Sequence, residues 1–147
     1  MPPIPEIRDD WKLVEVKPSD SDELWLFRKN MGAAEIKGIA DLPTLVYFTV
    51  QFTPRDSSGL PTEEDAERLY DFEEIAIPVV EEESDSIMVA SVVKGGLKDH
   101  LFYTGSPDRF AESLAKHRDR LEGFQISLEK HDDPEWEIFD DFPDGEY

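Results

Sequence analysis

The fold class is decided by residues 44–53, which read TLVYFTVQFT. Apolar and polar side chains alternate along this stretch, as in a β-strand with one face on a core and the other toward solvent. The inward set is Val46, Phe48, Val50 and Phe52, and the outward set is Tyr47, Thr49 and Gln51. We therefore predict a half-buried strand at these residues.

A helix is predicted after the turn-rich loop at residues 54–59. Thr62 is suited to cap its first turn, and Asp65 stands three residues further on, as in a variant of the capping box. The predicted apolar stripe of this helix consists of Ala66, Leu69, Phe72, Ile75, Ala76 and Val79. Pro78 is expected to kink or end the helix, because proline removes a backbone donor and clashes with the preceding turn.

Further elements follow along the chain. They are strands at 86–93 and 98–104 around a tight turn at 94–97, a helix from Ser106 to Gly123, and a last strand at 124–129. Pro107 is favourable at the first position of a helix, and a glycine is favourable just beyond a helix end. The order from residue 44 onward is therefore β-α-β-β-α-β.

This order is typical of ferredoxin-like folds, which are α+β two-layer sandwiches with two helices on one face of an antiparallel sheet. Residues 11–16 and 24–29 read as the strands of an added N-terminal β-hairpin. We expect the hairpin to extend the sheet or to cover part of it.

A chain of 147 residues fits a single domain, which we place over residues 1–147. Its globular body is expected over residues 8–131. The acidic C-terminal segment, residues 132–147, holds 8 acidic residues and no basic ones. It also contains Trp136 and two phenylalanines, which a purely solvating tail would not need. We therefore expect this segment to be partly packed on the body.

The chain is strongly acidic, and its charge is uneven. Its formal net charge is −20, from 35 Asp and Glu against 15 Lys and Arg. Residues 1–60 carry 10 acidic and 7 basic side chains (−3), and residues 61–147 carry 25 and 8 (−17). Such a field repels nucleic-acid phosphates and anionic lipid and speeds encounter with basic surfaces. We expect a basic protein as partner, and neither nucleic acid nor a membrane; acidity that serves solubility alone is an equally good explanation.

Several classes of protein are excluded by what the sequence lacks. Without cysteine there are no disulfides, thiolate nucleophiles or cysteine-based metal sites. No run reaches the roughly 18 apolar residues of a membrane span. The first six residues lack the basic and apolar regions of a secretory signal. We therefore expect a cytoplasmic protein.

No motif predicts a catalytic, cofactor or metal site. His100, His117 and His131 lack the spacing of paired metal ligands, so we expect ordinary surface or half-buried histidines. The acidic doublets at 132–133 and 140–141 read as solvated side chains, because a glycosidase-type pair needs burial of one carboxyl group.

The acidic C-terminal segment contains the candidate partner-binding residues. Aromatic anchors ringed by polar residues are typical of protein interfaces. The candidates are Glu135, Trp136, Glu137, Phe139, Asp140, Asp141 and Phe142. The alternative is that Trp136 and Phe139 pack against the sheet and complete the core.

Three short motifs carry a resemblance to a known family. They are Gly59-Leu60-Pro61, Leu101-Phe102-Tyr103 and Asp133-Pro134-Glu135-Trp136. In this order and spacing they resemble a bacterial family catalogued as domain of unknown function six-nine-five. The element order and the ending are also similar, more loosely, to the regulator of ribonuclease E activity B, a small acidic bacterial protein that binds a ribonuclease and restrains it. The first resemblance implies no catalytic residues, and the second implies a regulatory role.

These observations favour a non-enzymatic binding or regulatory protein whose acidic surface engages a basic protein. The expected partner is a ribonuclease or another RNA-processing enzyme, or a nuclease toxin that the chain neutralises as an immunity protein. The alternative is a hydrolase or metal-dependent enzyme that uses clustered carboxylates with His100. A deep cleft with His100 and two acids would favour the enzyme, and a flat or convex acidic face would favour the binder.

Overall fold

The computed structural model describes residues 9–143, which form one six-stranded antiparallel sheet with helices. The strands are β1 (Trp11–Val16), β2 (Trp25–Asn30), β3 (Thr44–Gln51), β4 (Ser86–Lys94), β5 (Leu97–Thr104) and β6 (Gln125–Asp132). The α-helices are α1 (Glu63–Ile75), α2 (Ile77–Ser84), α3 (Pro107–Ala115) and α4 (Glu137–Asp141). Short 3-10 helices span Met31–Ile36 and Arg118–Leu121. The fold is thus of the α+β class, as predicted.

The strands lie in the order β1-β2-β4-β5-β3-β6, and every neighbouring pair is antiparallel. The N-terminal hairpin β1-β2 extends the sheet through pairing of β2 with β4. In the register of the central strands, Phe48 of β3 lies between His100 of β5 and Leu128 of β6. Residues opposite each other in a sheet share a face, so these three side chains point to the same side.

Local capping explains where the two long helices begin. The backbone N–H of Asp65 donates to Thr62 Oγ1 (3.2 Å), and that of Arg109 donates to Ser106 Oγ (3.2 Å). Each bond satisfies one of the backbone donors that a helix start leaves without a partner. The cap at Thr62 was predicted, and Ser106 was predicted as the start of the later helix.

The helical region after Thr62 differs from its prediction in two respects, the number of helices and the residues of the apolar stripe. It consists of two helices, α1 and α2, which meet at Ala76, and Pro78 occupies the first turn of α2. The restart changes which side chains face the sheet: Leu69, Phe72 and Ala76 are buried as predicted, but Ile77 and Val80 replace Ile75 and Val79 in the core. The predicted stripe was wrong at Ala66, Ile75 and Val79, which are exposed.

Apolar cores lie on both faces of the sheet. On the helical side, β3 packs its inward set against α1, α2 and α3, with Leu69, Phe72 and Phe110 among the buried contacts. On the other side, Leu45, Leu101 and Tyr103 pack with residues of the 31–42 connection and of the C-terminal segment. The second face was predicted to be polar and solvent-facing, which is wrong near its middle, because these two segments cover it.

Strand β5 is consequently buried from both sides. Leu101, Phe102 and Tyr103 are at most 1% exposed. The Leu101-Phe102-Tyr103 motif is therefore a structural element that fills both cores at once. No helix within residues 9–143 is long and apolar enough to span a lipid bilayer. The predictions for the N-terminal six residues and for the tail beyond residue 143 lie outside the described residues.

Candidate functional site

Asp133 organises the C-terminal segment. The prediction of a solvated side chain was wrong for Asp133, which is buried. Its carboxylate accepts hydrogen bonds from Tyr103 Oη (2.6 Å) and from the backbone N–H groups of Glu137 (2.9 Å) and Ile138 (3.0 Å). The two backbone donors belong to the first turn of α4, where a negative charge is stabilised. Burial, followed by the hydrogen bond to Asp133, raises the pKa of Tyr103 above its usual range, so this phenol stays neutral.

Trp136 is held against the same tyrosine. The two rings are parallel, with centroids 4.0 Å apart, and Trp136 Nε1 donates to the carbonyl of Leu42 (3.0 Å). Trp136 is 0% exposed and Phe139 is 1% exposed. The explanation that these two aromatics complete the core therefore agrees with the structure, and neither side chain is available as a surface anchor in this conformation.

The other predicted partner-binding residues of the segment lie at its surface. Glu135, Glu137, Asp140 and Asp141 are exposed. Asp140 forms an ion pair with Lys37 (3.0 Å). Phe142 is half-buried, because its ring packs edge-on against Phe27 with centroids 5.5 Å apart. With its aromatics engaged, the segment presents acids without an exposed aromatic among the described residues.

A second acidic surface lies on α1, and we call it the acidic face. It consists of the exposed side chains Glu63, Glu67, Tyr70, Asp71, Glu74 and Ile75. Side chains three or four positions apart are neighbours on a helix, so Tyr70 lies between Glu67 and Glu74, and Ile75 follows Asp71. Tyr70 is 59% exposed and Ile75 is 49% exposed. Large apolar groups therefore stand among four carboxylates here.

No cation of residues 9–143 neutralises the negative charge of the acidic face. In the described part of the protein, its four carboxylates form no ion pair. Arg68 is on the same helix, but its guanidinium donates to the backbone carbonyls of Arg120 and Glu122. A basic partner would therefore find this surface ready to pair.

The acids near the end of α2 are different, since cations of α3 and its C-cap pair with them. Lys116 lies 2.9 Å from Glu83, and Arg109 lies 2.9 Å from Asp85. The hydrogen bond from Lys116 lowers the pKa of Glu83. Glu83 and Asp85 therefore differ from the carboxylates of the acidic face, because each has a cationic partner within the described residues.

His100 lies beneath α1 in a buried group that we call the Glu73 cluster, formed by Glu73, Lys98 and His100. His100 is 0% exposed, and its Nε2 lies 3.1 Å from Glu73 Oε1, which also pairs with Lys98 Nζ. Burial by itself raises the pKa of Glu73, but the hydrogen bond with His100 and the charge of Lys98 outweigh it and lower the pKa to about 2. The prediction of a surface or half-buried histidine was wrong for His100.

The described residues contain no group of three or more His, Asp or Glu side chains arranged to hold a metal ion. A surface cleft of about 420 Å³ lies between the Gly95-Gly96 turn and Arg68, but the Glu73 cluster does not line it. The histidines are dispersed. His131 of β6 pairs with Glu129 (3.2 Å) and lies opposite Leu45, on the other face of the sheet from His100.

The excess of acidic residues over 61–147 includes α1, but Tyr70 and Ile75 were not predicted to lie at its surface. Ile75 was predicted to lie in the core stripe, and no prediction concerned Tyr70. The helical spacing of Glu63, Glu67, Tyr70 and Glu74 was present in the sequence as a signal, because it places one tyrosine on a ridge of acids.

The family model of DUF695, a family of unknown function, matches residues 9–142. The chain belongs to this family. The resemblance of the chain to this family, which rested on three motifs, is thereby confirmed. No curated protein and no solved structure matches the chain at a significant level. The looser similarity to the ribonuclease regulator therefore stays a hypothesis.

Within this DUF695 chain, the three motifs have structural roles. Gly59 has φ +81°, and its carbonyl accepts from the backbone N–H of Gly96 (3.0 Å), which joins the loop before α1 to the β4-β5 turn. Leu101-Phe102-Tyr103 fills both cores, and the last motif supplies Asp133 and Trp136. The contributions of these residues to the fold are enough to account for the three motifs.

Proposed function

We propose that this protein is a non-enzymatic binding or regulatory protein, and that its acidic face engages a basic protein. The observation that carries the proposal is the exposure of Tyr70 and Ile75 among four carboxylates of α1 that form no ion pair with another described residue. Tyrosine is enriched among residues that dominate binding energy, and surrounding charges of one sign accelerate the encounter with an oppositely charged surface.

Relative to the sequence-based hypothesis, the proposed interface moves from the C-terminal segment to α1. In the segment, Trp136 and Phe139 are buried and Asp140 is paired with Lys37. On α1, apolar and acidic groups are both free to meet a partner. The acidic face lies on the outside of a helix and is convex. A convex acidic face favours a binding protein, whereas an enzyme would need a deep cleft with His100 and two acids.

The enzyme alternative has less support. His100 is fully buried, and the carboxylate beside it belongs to a single residue, Glu73, which Lys98 also pairs. A general base must come within hydrogen-bond reach of a substrate proton. In this cluster the ring nitrogens face Phe48 and Glu73 instead.

A nuclease is the partner class that the charge argument favours, because proteins that bind phosphate backbones present basic surfaces. A cellular ribonuclease or RNA-processing enzyme and a nuclease toxin are both proposed on this ground. The same charge opposes direct binding of nucleic acid and of anionic membranes. A cytoplasmic location remains part of the proposal.

We also propose that β3 to β6 form a ferredoxin-like unit. Their spatial order is β4-β5-β3-β6, with α1 and α2 between β3 and β4 and α3 between β5 and β6. This arrangement supports the split β-α-β interpretation, with the β1-β2 hairpin added beside β4.

The test of the function compares two charge reversals that change the net charge equally. One variant carries Glu67→Lys and Glu74→Lys on the acidic face, and the control carries Glu135→Lys and Glu137→Lys in the C-terminal segment. Each protein is immobilised and exposed to lysate of its own cell at low salt, and proteins eluted by raised salt are identified by mass spectrometry.

A basic protein that is retained by the wild type and by the control, but lost by the α1 variant, is the expected result. Loss with the control alone would place the interface on the C-terminal segment. Retention by both variants would refute electrostatic recognition by either surface. Tyr70→Ala should also weaken retention, whereas Leu13→Ala, at a residue of similar exposure on β1, should not.

A further inference from the structure

The Glu73 cluster connects α1 to the centre of the sheet through one imidazole ring. His100 Nδ1 lies 3.1 Å from the carbonyl oxygen of Phe48 on β3, and Nε2 lies 3.1 Å from Glu73 Oε1 on α1. A backbone carbonyl and an ionised carboxylate are both acceptors only. Both contacts are hydrogen bonds at the same time only if each ring nitrogen carries a proton.

We propose that His100 holds α1 against the sheet as an imidazolium, and that loss of its proton loosens the middle of α1. A neutral ring has one lone pair, which must face either the carbonyl of Phe48 or the carboxylate of Glu73. One of the two contacts then becomes acceptor against acceptor and is lost. This pH-dependent contact is independent of whether the acidic face binds a partner.

The residues around the ring of His100 determine whether it stays protonated. The carboxylate of Glu73 faces it from α1, and Lys98 of β5 pairs with the same carboxylate. Phe48 of β3 stacks on the ring with centroids 5.3 Å apart. Ser91 is its neighbour on β4 and does not titrate in the physiological range. Glu73 is thus the one anionic group in contact with the ring among the described residues.

Burial makes the contact consequential. A lost hydrogen bond at the surface is replaced by water, but His100 is 0% exposed, so an unpaired ring nitrogen or carbonyl there keeps its full cost. The effect should appear in α1, because Glu73 is the helix side chain that the ring contacts. Tyr103 and the C-terminal segment, on the opposite face of the sheet, should not respond.

The protonation state is measured by long-range 1H–15N NMR of the histidine rings. The chain has 3 histidines, so spectra of His117→Gln and His131→Gln assign His100 by elimination, without a substitution in the core. We expect both ring nitrogens of His100 to carry protons near neutral pH. A singly protonated ring there would overturn the proposal.

The helix response is measured by amide hydrogen exchange across the pH at which the ring loses its proton. After correction for the intrinsic pH dependence of exchange, amides of α1 around Glu73 should exchange roughly ten- to hundredfold faster with the neutral ring, as expected for one hydrogen bond to a charged group. Unchanged exchange in α1 would refute the coupling.

A matched pair of variants separates the cluster from general effects of pH. Glu73→Gln keeps the shape and one acceptor but removes the charge, so His100 should be singly protonated near neutral pH and the exchange of α1 should lose its pH-dependent step. His131→Gln, outside the cluster, should keep both behaviours of the wild type. A step that persists in Glu73→Gln would assign it to another group and overturn the proposal.

Discussion

Replacing Tyr103 by Phe should lower the free energy of unfolding by about 2–4 kcal/mol, because one hydroxyl group serves two buried partners. The hydroxyl donates to Asp133 (2.6 Å) and accepts from the backbone N–H of Phe139 (3.2 Å). A hydrogen bond to a charged group contributes about 1.5–3 kcal/mol, and a buried donor left without a partner costs about 1–3 kcal/mol. The two contributions overlap, since Asp133 keeps its bonds to Glu137 and Ile138.

The assay is equilibrium unfolding in urea, followed by tryptophan fluorescence, with the midpoint and the slope fitted separately. The matched control is Tyr70→Phe, which removes the same hydroxyl from a residue that is 59% exposed and should change stability by less than about 0.5 kcal/mol. A double-mutant cycle of Tyr103→Phe with Asp133→Asn should show strong coupling. If Tyr103→Phe is as mild as its control, the hydroxyl does not hold the C-terminal segment, and ring stacking with Trp136 must suffice.

Three further outcomes are expected. The pKa of Glu73 is lowered from 4.5 to about 2, so the folded state binds this proton less readily than the unfolded state. The free energy of unfolding should therefore fall as the pH drops from 4.5 to about 2. Urea titrations at several pH values should show this fall in the wild type and a smaller one in Glu73→Gln. Gly59→Ala should destabilise the fold more than Gly38→Ala, as measured by thermal unfolding of the two variants. Both positions have positive φ, but only at Gly59 would the added Cβ come within 2.9 Å of Gly95. Association through the acidic face should slow steeply between low and physiological salt in stopped-flow measurements, and rates indifferent to salt would contradict electrostatic steering.

The strands were predictable because their signals are local. Alternation along β3 and the Gly95-Gly96 turn each depend on residues that are adjacent in sequence. The break between α1 and α2 was also signalled, by Pro78. The sequence did not indicate how the chain is oriented after the break. A proline marks where a helix is interrupted, but it does not determine which side chains face the core in the next helix.

The Glu73 cluster could not be derived from local patterns, since Glu73 and His100 meet only when α1 packs over β5. One signal was available, however. Lys98 and His100 share the strand face of Phe102, so two polar residues stand on the core-facing phase of an apolar strand. Polar residues in such positions are buried with partners when the strand is central. The burial of Trp136 likewise depends on Asp133 and Tyr103, which are distant in sequence.

The burial of β5 from both sides has a consequence for the unfolded chain. A strand that fills two cores must be apolar on both faces, so Leu101, Phe102 and Tyr103 form a continuous hydrophobic run with high β-propensity. Exposed in a nascent or unfolded chain, such a run is prone to intermolecular β-pairing and aggregation. Lys98, Asp99 and His100 stand immediately before it, as charged residues commonly flank aggregation-prone segments. The net charge of −20 adds repulsion between chains, which opposes their association before the strand is buried.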